Sequence, residues 1–476
     1  MEQVAKLPKN IKLFVAISLF ALIGGYYYVV ALSTDYRWFI YIHAGILFFA
    51  GMAVFLKDIK AFLIFVMLFS LALGFGRHII HYRPPFESVL FSTGIRIDAV
   101  EAVLVLCYAH WAVNLAGKTD QIRPITMGGR VGTLFLAWIA YVFVSNLLEA
   151  SHLDYSVYEV IVYIKGFLLY FYLVNNIKDE NELKIVTYGI FAACVVQSLY
   201  MILQYATKTS YTISGDWISY IGPEGFRSRG FYGSPDAHAT FLAIVFPVFV
   251  LAWFVVQDIF KKAAVLSSII IILMAIIFSK VRIAFASMGL GSIVAIWMAY
   301  RKGWLSQGQV ISTMIAGIFM TIAVIPLVYE RFAYGIYGED RIPLLVTAFN
   351  MFKSNALFGV GANNYNFVVL QYIPPNFLSE WLFTVHSEYL LRLAETGILG
   401  FLLYYGFVLL VMYRLFQGSM SDRPLIFMIS CGFFAAFIGS FVHRIVSMYH
   451  YQQVFALQSV VFALSVIVNT LDKRES

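Results

Sequence analysis

Long apolar segments recur along almost the entire chain, and each is close to the length that a helix needs to cross a lipid bilayer. A spanning helix requires about 20 mostly apolar residues. In a bilayer, helices satisfy all their backbone hydrogen-bonding groups internally. The sequence therefore predicts an all-α, polytopic transmembrane helical bundle of 12–14 spans. The candidate segments centre on 12–31, 38–56, 59–76, 97–116, 131–149, 157–176, 183–206, 238–258, 263–279, 283–300, 309–328, 387–413, 424–442 and 453–471. Two of them, 59–76 and 263–279, are expected to be distorted or re-entrant.

Composition excludes a soluble globular protein, because 61% of the 476 residues are hydrophobic and only 12% are charged. We find no soluble domain and no repeat, so residues 1–476 are predicted to form a single integral membrane domain. The three cysteines lie far apart in apolar runs, where they are expected to pack in the core. No acidic pair of the DxD type occurs in a predicted outer loop, and no side chains have metal-ligand spacing. The sequence therefore predicts a reaction without a metal or another cofactor.

The distribution of Lys and Arg predicts the orientation of the spans. With the N-terminus in the cytoplasm, the inner loops carry 18 Lys and Arg residues and the outer loops carry 13. Both termini are therefore predicted to be cytoplasmic. Two outer loops are long enough for structure outside the membrane, namely 207–237 and 329–386, and the larger one is expected to contain an amphipathic helix. Basic residues retained on the outer side can bind an anionic group there, although long loops cross the membrane whatever their charge.

The first outer loop contains two arginines, Arg227 and Arg229, just before a predicted helix. Ser234 and Asp236 are both candidates for the N-cap of that helix. A helix N-terminus beside two guanidinium groups favours an anion site. The alternative is a capped loop whose arginines are simply solvated.

A very short outer turn between two apolar helices contains Lys280 and Arg282. Charge so close to the hydrocarbon core is costly unless it faces a cavity or a partner. Lys280 can equally extend to the lipid head groups. For Arg282 we favour a functional role, because a guanidinium can bind a phosphate through two hydrogen bonds.

Downstream of Arg341, an apolar stripe at helical spacing predicts an amphipathic helix on the outer interface, with the residues Leu344, Leu345, Ala348, Phe349 and Phe352. Such a helix could cover a groove that faces the lipid. The glycines Gly359 and Gly361 indicate only a turn. No strand precedes them, which excludes a dinucleotide-binding fingerprint.

The segment that re-enters the membrane after this loop begins with His386. Glu388, Arg392 and Glu395 follow at spacings that allow a helical ladder of ion pairs, which is a structural role. His386 differs from them because a neutral imidazole at the membrane boundary can accept a proton from a sugar hydroxyl. A satisfied polar residue is the plainer alternative.

Two further groups of polar residues lie close to or inside predicted spans. Lys165 and Glu159 are about 120° apart around their helix, so Lys165 needs a partner on another helix, a wet cavity or a route to the head groups. Near the last outer turn, an aromatic and basic cluster could line the same cavity as His386 or form an interfacial belt. Its members are His443, Arg444, Tyr449, His450 and Tyr451.

Four segments between about 220 and 405 resemble, in the same order, motifs of the bacterial O-antigen ligase and Wzy-type polymerase superfamily of membrane glycosyltransferases. They are RSRGFYGSPDAHA from Arg227, KVRIAF from Lys280, DRIPLLVTAFNMFKSNALFGVGANNY from Asp340 and HSEYLLRLAETGILG from His386. Three positions depart from the family pattern, at Asp236, Val281 and Ser387. The family's arginine and histidine positions are retained.

The resemblance implies transfer of a glycan from an undecaprenyl-pyrophosphate carrier to an acceptor, by an inverting displacement on the periplasmic face of the bacterial inner membrane. It implies that Arg227 or Arg229, with Arg282 and Arg341, binds the pyrophosphate, and that His386 orients or deprotonates the acceptor hydroxyl. The acceptor is predicted to be lipid A core, as in a ligase. A polymerase would use a second lipid-linked chain instead. A transporter of polysaccharides or lipid-linked sugars is the rival of another class, but the inverted repeats expected of one are not found.

Overall fold

The computed structural model describes residues 58–74, 76–81, 92–116, 124–211, 217–218, 221–222, 225–318, 341–375, 384–448 and 451–475. Within these residues, ten helices are long and apolar enough to cross a membrane. They are α2 (Ala99–Ala116), α3 (Arg130–Glu149), α4 (Leu153–Asn176), α5 (Glu180–Thr207), α6 (Pro235–Val255), α7 (Ile259–Ser279), α8 (Arg282–Arg301), α11 (Glu388–Gly418), α12 (Pro424–Val446) and α13 (Gln452–Glu475). The predicted helical membrane bundle is confirmed.

Shorter elements complete the described part of the chain. Helix α1 (Ile59–Phe69) precedes the first of these spans, and α9 (Arg341–Ser354) and α10 (Tyr365–Val368) lie between α8 and α11. Residues 307–318 are also helical. Three antiparallel pairs of short strands are present, which the all-α prediction did not include. They are β1 (Gly76–His81) with β2 (Gly94–Asp98), β3 (Ser210–Tyr211) with β4 (Trp217–Ile218), and β5 (Ile221–Gly222) with β6 (Gly225–Phe226).

Most predicted spans coincide with observed helices, and a few need comment. The segment 263–279 is part of a regular 21-residue helix, α7, so the expectation that it is distorted or re-entrant was wrong. The segment 59–76 contains only the short α1 and one 3₁₀ turn before β1 begins. The candidate spans 12–31 and 38–56 lie outside the described residues, as does the second half of 309–328.

Helices α6, α8 and α12 form the centre of the bundle because small residues let their backbones approach closely. A Cβ atom added to Gly439 of α12 would lie 2.2 Å from the carbonyl oxygen of Ser287 on α8. Two turns earlier in α12, a Cβ atom at Gly432 would lie 2.7 Å from the side chain of Val248 on α6. In lipid, where no hydrophobic effect drives helices together, such close packing is a main source of association.

The loops that were predicted to be cytoplasmic lie at one end of the bundle, and the loops that were predicted to be on the outer side lie at the other. At one end, ion pairs join loops that were predicted to be cytoplasmic, with Lys60 bound to Glu182 and Arg423 bound to Glu180 at 3.2 Å. This is called the Lys60 end. The loops that were predicted to be on the outer side lie at the other end, which is called the His386 end. They contain the strand pairs, α9 and the segment before α11. The fold determines which loops lie at the same end of the bundle. The end that faces the cytoplasm stays a prediction.

Helix α9 is the predicted amphipathic helix, and part of its predicted apolar stripe packs on protein. Leu344, Ala348 and Met351 are buried, and the helix packs on α11. Phe349, another member of the stripe, is 46% exposed. The apolar periodicity did not indicate which members of the stripe meet protein.

Residues 359–365, with the sequence GVGANNY, pack into a break in α11. This contact explains the glycines of the segment. At Gly397 the backbone leaves the helical region, with φ of 65° and ψ of −173°. The break leaves carbonyl groups of the preceding turn without their usual partners. The Val360 N–H donates to the Ala394 carbonyl at 2.9 Å, and the Gly361 N–H donates to the Glu395 carbonyl at 3.0 Å. The loop thus fixes the first turns of α11, which carry the polar groups next to His386.

We expect Gly397→Ala to destabilise the fold by at least about 2 kcal/mol, because it adds strain at positive φ and a steric clash. The added Cβ would lie 2.2 Å from the Leu357 carbonyl oxygen. Thermal unfolding in detergent measures the effect. Gly406→Ala, in the same helix with nothing within 4 Å of the added Cβ, is the control and should unfold like the wild type. Equal midpoints for the two variants would contradict this account of the break.

Candidate functional site

The loop before α6 and the turn between α7 and α8 meet at the His386 end. Ser234 is the N-cap of α6 and accepts a hydrogen bond from the Ala237 N–H at 3.3 Å. The carboxylate of Asp236 is therefore not used for capping, and Arg227 Nη2 lies 3.9 Å from Asp236 Oδ2. The Nε–H of Arg227 also donates to the Ser279 carbonyl at 3.0 Å. Arg227 is thus fixed between α6 and the end of α7.

Arg282 starts α8, three residues after the carbonyl group that Arg227 binds. Between them Lys280 adopts a left-handed conformation, with φ of 56°, which gives the turn its sharp reversal. Arg229 is held differently, because its backbone N–H donates to Gln204 Oε1 of α5 at 3.0 Å. The two arginines that the sequence could not distinguish are therefore anchored to different helices, and Arg227 is the one attached to the α7–α8 turn.

His386 lies close enough to both Arg341 and Asp236 for each to shift its titration. Burial lowers the pKa of His386 below its usual value, the Arg341 guanidinium lowers it further, and the Asp236 carboxylate acts in the opposite direction. A lowered pKa keeps the imidazole neutral at pH 7. Arg227, Arg341 and His386 come from three separate segments of the sequence. Asp236 is close to Arg227 and to His386, and Arg341 is close to His386.

Tyr451 connects this group of residues to the interior of the bundle. Its hydroxyl is hydrogen-bonded to Ser234, and its pKa is raised, first by burial and then by the nearby Asp236 carboxylate. Glu388 is also close enough to raise the pKa of Tyr451. The tyrosine therefore lies between the charged end of α6 and the buried ion pairs of α11. Tyr449 and His450, its predicted companions, lie outside the described residues.

A network of buried charges lies directly beneath His386. Arg392 Nε is 2.9 Å from Glu388 Oε1, and Arg392 Nη1 is 4.0 Å from Glu159 Oε1 on α4. Arg444 Nη1 of α12 is 4.0 Å from Glu388 Oε1. All four side chains are at most 3% exposed. Because removing such groups from water is costly, they are stable only while they pair with one another.

Two tyrosines extend this network. Tyr163 donates a hydrogen bond to Glu159 and accepts one from Arg392 Nη1 at 2.6 Å. The Arg392 guanidinium also lies 5.0 Å from the ring centre of Tyr404. A small cavity of about 20 Å³ lies beside these groups, and Gln458 and Tyr451 form part of its wall. Polar groups thus continue from the His386 end into the bundle.

Part of this network of buried charges was predicted from the sequence. The predicted ion pair between Glu388 and Arg392 is confirmed, although it lies in the core and not on a helix surface. Lys165 has the predicted partner on another helix, since its Nζ is 2.6 Å from Glu101 Oε1. The link from Arg444 to Glu388 was missed. The signal that could have found it is the presence of an ionisable residue within a span, which by default needs a partner in the bundle.

Within the described ranges, no group of three His, Cys, Asp or Glu residues is arranged to hold a metal ion. The groups that do meet at the His386 end are guanidinium ions, one carboxylate and a neutral imidazole. Guanidinium ions bind phosphate groups through charge-assisted hydrogen bonds, and a neutral imidazole can accept a proton. The arrangement therefore suits a phosphate-bearing substrate and a proton transfer.

Comparison with protein families gives one match. The family model described as O-antigen ligase (Wzy_C) matches residues 267–405. The matched segment includes Arg282, Arg341 and His386, whereas Arg227 and Arg229 precede it. A comparison with curated proteins found no match. The resemblance inferred from the sequence motifs is confirmed over the matched residues.

Proposed function

Because residues 267–405 match the O-antigen ligase family of membrane enzymes, we propose that this protein transfers a glycan from an undecaprenyl-pyrophosphate carrier to lipid A core. The reaction takes place at the His386 end of the bundle. In this proposal the enzyme lies in the bacterial inner membrane, the His386 end faces the periplasm, and both termini are in the cytoplasm. The observation that carries the proposal is that Asp236 lies near both Arg227 and His386, while Arg341 lies near His386.

The arginines at this end provide the charge that the leaving group needs. When the glycosidic bond breaks, the carrier pyrophosphate gains negative charge, and preorganised cations stabilise that charge in the transition state. Arg227 and Arg341 are the arginines close to the Asp236 and His386 pair, and Arg282 begins the helix beside Arg227. Arg229, anchored to α5, extends the same positive surface. No metal ion is needed in this mechanism because side-chain cations neutralise the leaving group.

His386 acts as the base in the proposed step. The acceptor hydroxyl oxygen attacks the anomeric carbon on the face opposite the pyrophosphate, so the configuration inverts. The bond from that carbon to the pyrophosphate oxygen breaks, its electron pair leaves with the carrier, and the hydroxyl proton moves to His386. A neutral imidazole is required at the start, which the lowered pKa of His386 provides.

The exposed apolar face of α9 gives the lipid part of the donor a surface to lie on. Ile342 is 66% exposed and Phe349 is 46% exposed, and both lie on the helix that begins with Arg341. A polyprenyl chain along this face would leave its pyrophosphate next to Arg341. The helix therefore forms part of the proposed groove for the carrier.

The pH dependence of transfer should identify His386 as the base. The neutral form is lost as the pH falls through the lowered pKa of His386, so transfer should decline only below the pH at which an ordinary histidine titrates. Asp236→Asn removes the carboxylate that raises this pKa, and the acid limb should move to lower pH. Arg341→Gln removes a cation that lowers it, and the limb should move to higher pH. The measurement is the rate of transfer against pH, and shifts in the same direction would contradict the assignment.

Reconstitution with a purified undecaprenyl-pyrophosphate glycan and alternative acceptors tests the function itself. Glycan on lipid A core supports the ligase, whereas longer carrier-linked chains would identify a polymerase that joins lipid-linked repeat units. Movement of the donor across the bilayer without transfer would identify a transporter. The proposed site is wrong if His386→Ala and Arg282→Ala variants, both inserted normally, retain full transfer activity.

A further inference from the structure

A second cleft lies at the Lys60 end, on the far side of the bundle from the proposed reaction. Its volume is about 820 Å³, compared with about 20 Å³ for the cavity beside Glu159. The walls come from the last turns of α2 and α4, the residues before α3, and the ends of α11 and α13. Nothing in the proposed transfer uses this cleft.

The charge around the cleft is of one sign. Lys178, Arg414 and Lys473 contribute to its lining, which includes no Asp or Glu. In the part of the chain that the structure describes, neither Arg414 nor Lys473 forms an ion pair. Two carboxylates near Lys178 have other partners, since Glu182 binds Lys60 and Glu180 binds Arg423. The charged side chains that line the cleft are all positive, which favours an anionic ligand.

The remainder of the wall combines amide and hydroxyl groups with apolar side chains, and part of it is held in place by hydrogen bonds. Trp111, Val174 and Val466 are among the apolar residues that line it. The loop that closes one side is fixed by Asn175, whose amide oxygen accepts from the Thr126 N–H and whose amide nitrogen donates to the Thr126 carbonyl, both at 2.9 Å. Cations beside exposed apolar side chains match a molecule that has an anionic head and a hydrocarbon tail.

We propose that this cleft binds an anionic phospholipid, with its phosphate at Arg414 and Lys473 and its acyl chains along the wall near Trp111 and Val466. Basic pockets between transmembrane helices bind acidic lipid head groups in this way. The lipid joins the ends of α4, α11 and α13, and two of these helices carry Glu159 and Arg392. Its occupancy stabilises the bundle independently of transfer activity.

The test uses the full-length protein in nanodiscs of phosphatidylcholine with increasing fractions of phosphatidylglycerol. The readouts are the thermal midpoint and the lipid retained after extraction, measured by mass spectrometry. The wild type should gain stability with phosphatidylglycerol and retain it in preference to phosphatidylcholine. The double variant Arg414→Gln/Lys473→Gln should lose about 30-fold of that preference, because each cation near an anionic head group is worth about 1 kcal/mol, or about fivefold in affinity.

The matched control is Lys261→Gln/Arg301→Gln, which removes two cations at the same end of the bundle that do not line the cleft. This control should retain phosphatidylglycerol like the wild type. Equal losses in the two double variants would overturn the proposal, because they would indicate a general charge effect. Inorganic phosphate that produces the full stabilisation in discs of phosphatidylcholine alone would also overturn it, because the ligand would then be a free anion. Neither readout depends on glycan transfer.

Discussion

Replacing His386 by Ala is expected to reduce glycan transfer by about 10²- to 10⁴-fold, the usual contribution of a positioned general base. The physical reason is that the acceptor hydroxyl would have to lose its proton to water while it attacks. His386 is a candidate for this role because burial and Arg341 keep its imidazole neutral. The measurement is the rate of transfer by the purified protein in lipid, with the amount of folded protein determined in parallel.

The control for this prediction is His81→Ala, another histidine at the same end of the bundle, which is exposed and hydrogen-bonded to Thr93 at 3.2 Å. It should retain nearly all of the wild-type rate. Loss of binding without loss of turnover in His386→Ala would mean that the imidazole only positions a substrate. Unchanged turnover and unchanged binding would exclude His386 from the reaction altogether.

Replacing Arg392 by Met should destabilise the protein by about 3–5 kcal/mol, because it leaves the carboxylates of Glu388 and Glu159 in the core without their main cation. The methionine fills much of the same volume, so the effect reports on charge more than on a cavity. Thermal or denaturant unfolding in detergent provides the measurement. Transfer should decline as well, since Glu388 lies two residues from His386.

A surface pair of the same chemistry provides the comparison for Arg392. Arg423 and Glu180 are 3.2 Å apart at the Lys60 end, but both side chains remain partly exposed, so Arg423→Met should cost no more than about 1 kcal/mol. In the double variant Glu388→Gln/Arg392→Met, one unpaired charge is removed, and part of the lost stability should return. If Arg392→Met and Arg423→Met have equal effects, the buried network does not stabilise the fold as inferred.

Much of the bundle could be predicted because the signals for a membrane helix are local. The predicted spans 131–149 and 283–300 each fall within one observed helix, since an apolar run of the right length can satisfy its backbone in lipid only by folding on itself. The strand pairs were not predicted, because β1 and β2 lie in a loop between spans, where apolar periodicity carries little information. For a related reason the sequence did not indicate which residues of α9 pack on protein.

The sequence predicted which residues belong to the candidate site, but not how those residues are arranged in space. Arg227, Arg341 and His386 were each selected from their own segment, by charge retained in an outer loop or by a titratable group at the membrane boundary. Asp236 was considered only as a helix cap. The structure assigns the cap to Ser234 and brings the Asp236 carboxylate to Arg227 and His386, a contact that no spacing within one segment can indicate.

The sequence by itself determined that this chain is a helical membrane protein, which loops share an end of the bundle, and which family its residues 267–405 resemble. Only the tertiary structure decided that Arg227, and not Arg229, is attached to the α7–α8 turn, and that Glu388 and Arg392 are buried with Glu159 and Arg444. The physical reason is that insertion into lipid depends on the composition of about 20 consecutive residues. The pairing of buried charges depends instead on the packing of helices. These helices are more than a hundred residues apart in the chain.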